Sequence, residues 1–170
     1  PRARLHGQVA DVGLEAMARV IAAATDDVIA YQGAGDPEAV DPRDDWRRYL
    51  DLLEEVGGST RAEGLFREYV VTRLEEDTLD LRTVARQRYA TAEASAGDWA
   101  MPLPVRRPMS DWEFEEALTA IQQVTAILED RDEVAAMADG LGVDPPDLER
   151  MFETAEEFGT LSSTIQTQAE

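Results

Sequence analysis

The chain has 170 residues and a formal charge of −20, from 36 acids set against 16 arginines, with no cysteine and one histidine. The missing cysteines remove disulfide frameworks, thiolate metal sites and cysteine nucleophiles, and the lone His6 leaves serine triads, histidine-ligated zinc and Glu-x-x-His di-iron centres without their parts. A hydrophobic share of 44% beside 31% charged residues belongs to a globular chain that buries a core unaided, and no run approaches the roughly 18 apolar residues of a membrane span.

The first predicted helix covers 7–32, where Leu14, Met17, Ile21, Ala24, Val28 and Tyr31 recur at spacings of three and four as an a/d seam. Gly33, Gly35 and Pro37 end it. Asp41-Pro42 reads as the next start, an N-cap acceptor before a proline in the first turn, and Gly57-Gly58 as its stop. Between them Trp46, Tyr49, Leu50, Leu53 and Val56 form one stripe. Thr60-Arg61-Ala62-Glu63 is a capping-box pattern opening a third helix, with Phe66, Tyr69, Val70 and Leu74 on one face. A charged step at Glu75-Glu76-Asp77 precedes a fourth pattern over 79–96, carried by Leu81, Val84 and Tyr89; the spacing leaves open whether these two are one kinked rod.

Residues 97–109 break the periodicity with Pro102, Pro104 and Pro108 around Trp99, Met101 and Leu103, which predicts an extended, partly apolar connector lying along the helices. Ser110-Asp111-Trp112-Glu113 is a second capping-box pattern, followed by Phe114, Ala117, Ile121, Val124 and Leu128 at helical spacing. A short helix over 132–139 stops at Gly140, and Asp144-Pro145 caps a last one running past Phe158. No segment alternates with period two. The expected fold is all-α: a bundle of about five to six helices with a Pro-rich connector before the C-terminal helices. Its regions are 1–97 (N-terminal helices), 98–109 (connector) and 110–170 (acidic helices), packed as one domain.

The charge is unevenly placed, with 20 acids against 12 arginines in residues 1–100 and 16 against 4 in residues 101–170. Such a field disfavours nucleic acid and anionic membranes and favours a basic protein partner, although a solubility device or a high-salt habitat gives the same composition. The absence of lysine and asparagine follows from a GC-rich coding sequence rather than from function.

One local pattern is specific. Ala138, Leu141, Gly142, Val143, Leu148 and Met151 match the spacing of a turn between two helices, so residues 134–153 resemble the helix-turn-helix superfamily, whose second helix enters the DNA major groove. The segment that would read DNA contains Asp147, Glu149 and Glu153 around the single Arg150, a face that phosphate repels. Glu113-x-x-Glu116 and Glu129-x-x-Asp132 match the spacing of the all-helical nucleotide pyrophosphohydrolases that hold magnesium between two helices; on one continuous helix the pairs stand about 24 Å apart, too far to share an ion. Asp41, Asp44 and Asp45 are similar to the aspartate-rich motif of prenyl-chain enzymes without its second metal motif, and read as a cap. Arg82, Arg86 and Arg88 beside Tyr89 form the most basic helix face and are expected to pair with acids of neighbouring helices.

These observations lead to the expectation of a non-catalytic, cytoplasmic, protein-binding helical protein, either self-associating or an accessory subunit, with no metal, cofactor or membrane. Trp112, Phe114, Ile121 and Leu128, with Trp99, are the residues expected to meet a partner. A transcriptional regulator using the 138–151 corner is the alternative, and a magnesium-dependent nucleotide phosphohydrolase the third.

Overall fold

The computed structural model describes residues 2–35, 45–143 and 148–159, and for residues 2–12 the backbone alone. Among the described residues there are seven helices and no strand: α1 (Arg2–Thr25), α2 (Trp46–Glu55), α3 (Ala62–Tyr69), α4 (Glu76–Ala96), α5 (Leu103–Ser110), α6 (Phe114–Leu141) and α7 (Glu149–Glu153). The fold is all-α, as the periodicity predicts. None of the described helices is long and apolar enough to cross a membrane. The chain divides into two compact units, Pro1–Arg82 and Thr83–Glu170, at a point inside α4.

In the first unit α1 packs on α2 and α2 on α3. Asp45 starts α2, its carboxylate accepting from the backbone N–H groups of Arg47 at 2.9 Å and Arg48 at 3.4 Å. The expected start at Asp41-Pro42 lies outside the described residues. Arg48 then reaches back and donates to the carbonyls of Ala23 and Ala24 in the last turn of α1 and of Val28 just beyond it, at 3.2–3.3 Å. The same contact is made possible by a missing side chain. A Cβ on Gly57 would stand 2.5 Å from the Leu53 carbonyl oxygen and 3.0 Å from Val20 Cγ2, so only glycine lets the end of α2 approach α1 this closely. Met17, Val20, Leu50, Leu52, Leu53 and Phe66 fill the space between.

The predicted capping box at Thr60 moves by one residue. Ser59 Oγ accepts from Arg61 N and Ala62 N, and Glu54 of α2, rather than a residue of α3, accepts from Glu63 N at 3.1 Å. Helices α3 and α4 are separate. Thr72 donates its N–H at 3.1 Å and its hydroxyl at 2.8 Å to the Glu75 carboxylate, in a turn between Tyr69 and Glu76 that ends any continuous rod. Those bonds, with Arg47 nearby, hold the Glu75 carboxyl below its ordinary range.

In the second unit α5 packs on α6. Gly97, at φ 70°, ends α4, and the segment after it is pinned from two sides. Arg131 of α6 donates to the last carbonyls of α4, Ala96 at 3.0 Å and Ser95 at 2.9 Å, and lays its guanidinium 4.7 Å from the centre of the Trp99 ring. Trp99 packs against Phe152 with ring centres 5.4 Å apart and the rings tilted by 51°, while Glu153 accepts from Ala100 N at 2.9 Å. This part of the connector lies against its helices, as expected. Its second half does not stay extended, because residues 103–110 are helical. Pro104 sits in the first turn, where an N–H has no partner to lose, and burial of Val105 and Met109 outweighs the one bond that Pro108 removes.

The predicted capping box at Ser110 is replaced by a tight turn, with Trp112 at φ 60° and its ring 5.2 Å from that of Phe114. Helix α6 then runs unbroken for 28 residues through the expected boundary near Asp130. It ends in a Schellman motif, with Gly142 at φ 67° and the N–H groups of Gly142 and Val143 bonded to the carbonyls of Asp139 and Ala138. The expected cap at Asp144-Pro145 lies outside the described residues.

Candidate functional site

Three places bring chemistry-bearing side chains together, and each can be judged by what water can reach. The first is Arg82, whose guanidinium is fully buried in the first unit. Its Nε and Nη2 donate to Asp51 Oδ1 at 2.9 and 2.6 Å, Nη2 also to Glu54 Oε2 at 2.8 Å, and Nη1 to Glu63 Oε2 at 3.2 Å. The Tyr31 hydroxyl donates to the same Asp51 oxygen at 3.5 Å. Burial works to lower the guanidinium pKa, but the charges of Asp51, Tyr31 and Glu54 outweigh it and hold the value above the ordinary arginine range. The expectation that this arginine pairs with acids of neighbouring helices is met by a cluster tying α2, α3 and α4, in which Arg82 and Asp51 are fully buried and Glu63 reaches the surface.

The second is the corner at 138–151. Ala138 and Leu148 are buried, but Leu141 is 79% exposed, Val143 56% and Met151 41%. A helix-turn-helix needs those anchors between its two helices; here they face solvent, and α7 has only five residues. Gly142 makes the expected turn, and residues 144–147 of the corner lie outside the described residues.

The third is an open groove of about 500 Å³ in the second unit. It is lined by Leu103, Pro104, Arg107 and Pro108 of α5, by Asp111, by Glu113 and Glu116 at the start of α6 and by Glu156 and Glu157 beyond α7. Five carboxylates thus share the groove with one arginine and a few apolar side chains. The second unit as a whole carries 18 acids against 6 arginines, so the surrounding field reinforces the groove. Such a site attracts cationic groups and offers proline and leucine surface to the methylenes of their side chains.

The residues expected to meet a partner are placed elsewhere. Phe114, Ile121 and Leu128 are buried along α6, and Trp112 is buried at its start, so this seam forms the core of the second unit. Trp99 is half-buried between Phe152 and Arg131. Sequence reading missed Asp111, Glu156 and Glu157 because the i, i+4 face 103–107–111 exists only if the proline-rich segment is a helix. Glu113 and Glu116 were visible as a spaced pair, and α6 is continuous from them to Glu129 and Asp132, which keeps the two acidic pairs about 24 Å apart. Among the described residues no group of three or more acidic or imidazole side chains is placed to hold a metal ion. No family model, no curated protein and no solved structure matches the chain.

Proposed function

We propose that this chain is a non-catalytic protein-binding protein, an accessory subunit whose second unit receives an arginine- or lysine-rich segment of a partner in the α5–α6 groove. The observation that carries this reading is the groove itself, lined by Asp111, Glu113, Glu116, Glu156 and Glu157 together with Leu103, Pro104, Pro108 and the single Arg107. Cationic side chains neutralise the carboxylates while their stems cover the prolines. Phosphate is repelled by the same arrangement, which weighs against DNA or a nucleotide as the ligand.

The test is fluorescence anisotropy with a labelled peptide of alternating arginine and leucine, at low ionic strength. A triple Glu113→Gln, Glu116→Gln, Glu156→Gln variant is compared with a control that neutralises as much charge on the same unit away from the groove, Glu129→Gln, Glu133→Gln, Asp139→Asn. Each exposed charge contact contributes about 0.2–1 kcal/mol, so the groove variant should bind roughly 3- to 100-fold more weakly. The control should stay within about twofold of the parent, and added salt should weaken binding throughout. Equal losses in both variants would mean that the peptide follows net charge and that the groove is no site.

A further inference from the structure

The five carboxylates of the groove are not all held in the same way. Glu113 and Glu116 stand at the start of α6 beside the buried Phe114 and Ala117, and Asp111 follows α5, which packs on α6. Glu156 and Glu157 come after α7, three and four residues past its last residue, Glu153. Helix α7 has five residues and no side-chain cap at Leu148, so it is too short to hold its own shape in water. Its place depends on what it touches.

Two contacts join α7 to the segment that leaves α4. The fully buried Phe152 has its ring 5.4 Å from that of Trp99, and the Glu153 carboxylate accepts from the Ala100 N–H at 2.9 Å. Trp99 is itself fixed, because Arg131 stands 4.7 Å from its ring centre and is bonded to the carbonyls of Ser95 and Ala96. Glu153 uses its carboxylate in this joint and does not line the groove. The five carboxylates that do line it repel one another, and the single Arg107 does not balance them. Untethered, Glu156 and Glu157 would move outward. The joint opposes that movement.

We infer that Trp99 and Glu153 are positioning residues of the groove: through Phe152 and Ala100 they hold α7 where Glu156 and Glu157 act on the same ligand as Asp111, Glu113 and Glu116. This role rests on the groove being a site for a basic segment. Linkage runs both ways, since cations bound in the groove relieve the repulsion that pulls on the joint. A bound peptide should therefore tighten the joint, and a broken joint should loosen the peptide.

Glu153 gives the cleanest test, because two substitutions change its charge equally and its hydrogen bond unequally. Glu153→Gln keeps an oxygen for the Ala100 N–H, and Glu153→Leu does not. In the anisotropy titration described above, Glu153→Gln should stay within about twofold of the parent. Glu153→Leu should bind roughly 2- to 30-fold more weakly, as should the pair Glu156→Gln, Glu157→Gln, the loss of two exposed charge contacts. Joining Glu153→Leu to that pair should add little, since the charges it positions are already gone. On the other side of the joint, Trp99→Ser should weaken binding in the same non-additive way, and Trp99→Phe, which keeps a ring against Phe152, should retain it. In the unaltered chain, saturating peptide should slow hydrogen exchange at the Ala100 amide by more than at the Val143 amide in the turn that ends α6. A Glu153→Leu loss no larger than that of Glu153→Gln, losses that add in full to those of Glu156→Gln, Glu157→Gln, or an Ala100 amide that peptide leaves unchanged would overturn this role while leaving the groove in place. A parent chain that binds no peptide would overturn both.

Discussion

Replacing Arg82 by methionine is the sharpest test of how the first unit is held together. The change keeps most of the side-chain volume but removes the guanidinium bonded to Asp51, Glu54 and Glu63, of which Glu63 keeps its pair with Arg67 at 3.0 Å. The three carboxylates are unequally placed to respond. The side chains of Glu63 and Glu54 are 25% and 9% exposed and can turn to water, whereas Asp51 is 2% exposed and cannot. The loss is therefore mainly that of the guanidinium from one buried carboxylate, about 3–5 kcal/mol, against about 5–15 kcal/mol for a whole domain. Urea unfolding followed at Trp46, the sole tryptophan of Pro1–Arg82, reads this unit. A pH signature should accompany the loss. Without Arg82, burial raises the Asp51 carboxyl above its unfolded value, so the destabilisation is fullest at neutral pH and shrinks as acid protonates the group. The double variant Arg82→Met, Asp51→Leu should recover to within about 1–2 kcal/mol of the parent, because an apolar pair has no charge to desolvate. A single-variant loss below about 1 kcal/mol, or one independent of pH, would show that the cluster behaves as a solvated surface pair and refute the reasoning.

Other substitutions address other joints. Gly57→Ala pushes a methyl group against the Leu53 carbonyl and Val20, and should lower stability by about 1–3 kcal/mol in a thermal melt, with α1 released first in hydrogen exchange. Arg131→Met removes two bonds to the end of α4 and the cover over Trp99; a loss of about 1–3 kcal/mol and a red-shifted Trp99 emission are expected, with faster exchange at Ala100. Glu75 has a folded pKa held low by Thr72, so its contribution is present above the unfolded carboxylate value and fades as pH falls through the lowered one. Glu75→Gln should abolish that acid-side dependence in the exchange rate of the Thr72 amide.

Apolar periodicity made the helices legible because burial of a face is a local, repeating demand on the chain. It served less well wherever a distant partner decided the outcome. Ser110-Asp111-Trp112-Glu113 has the residues of a capping box, yet burial of Val105 and Met109 draws 103–110 into a helix that occupies the start of that box. The seam of α1 was read as one stripe, but the requirement to meet α2 at Gly57 rotates the buried face onto Ala16, Met17 and Val20 and leaves Leu14 and Ile21 outside. The 114–128 seam had the same signature and went wholly inward. Spacing identifies a face that wants cover; it does not say whether the cover is the same chain. Arg82 shows the converse, since a basic helix position foretold pairing with acids but not that the pair would be dry.

The response of the groove to ionic strength links it to the composition of the chain. A basic segment held there mainly by charge weakens as salt rises, and a chain of net −20 adds a general attraction that salt screens in the same way. The triple glutamine variant separates the two: it changes the net charge by as much as the control on α6, so a larger loss in the groove variant measures the local contact, and the loss common to both measures the field.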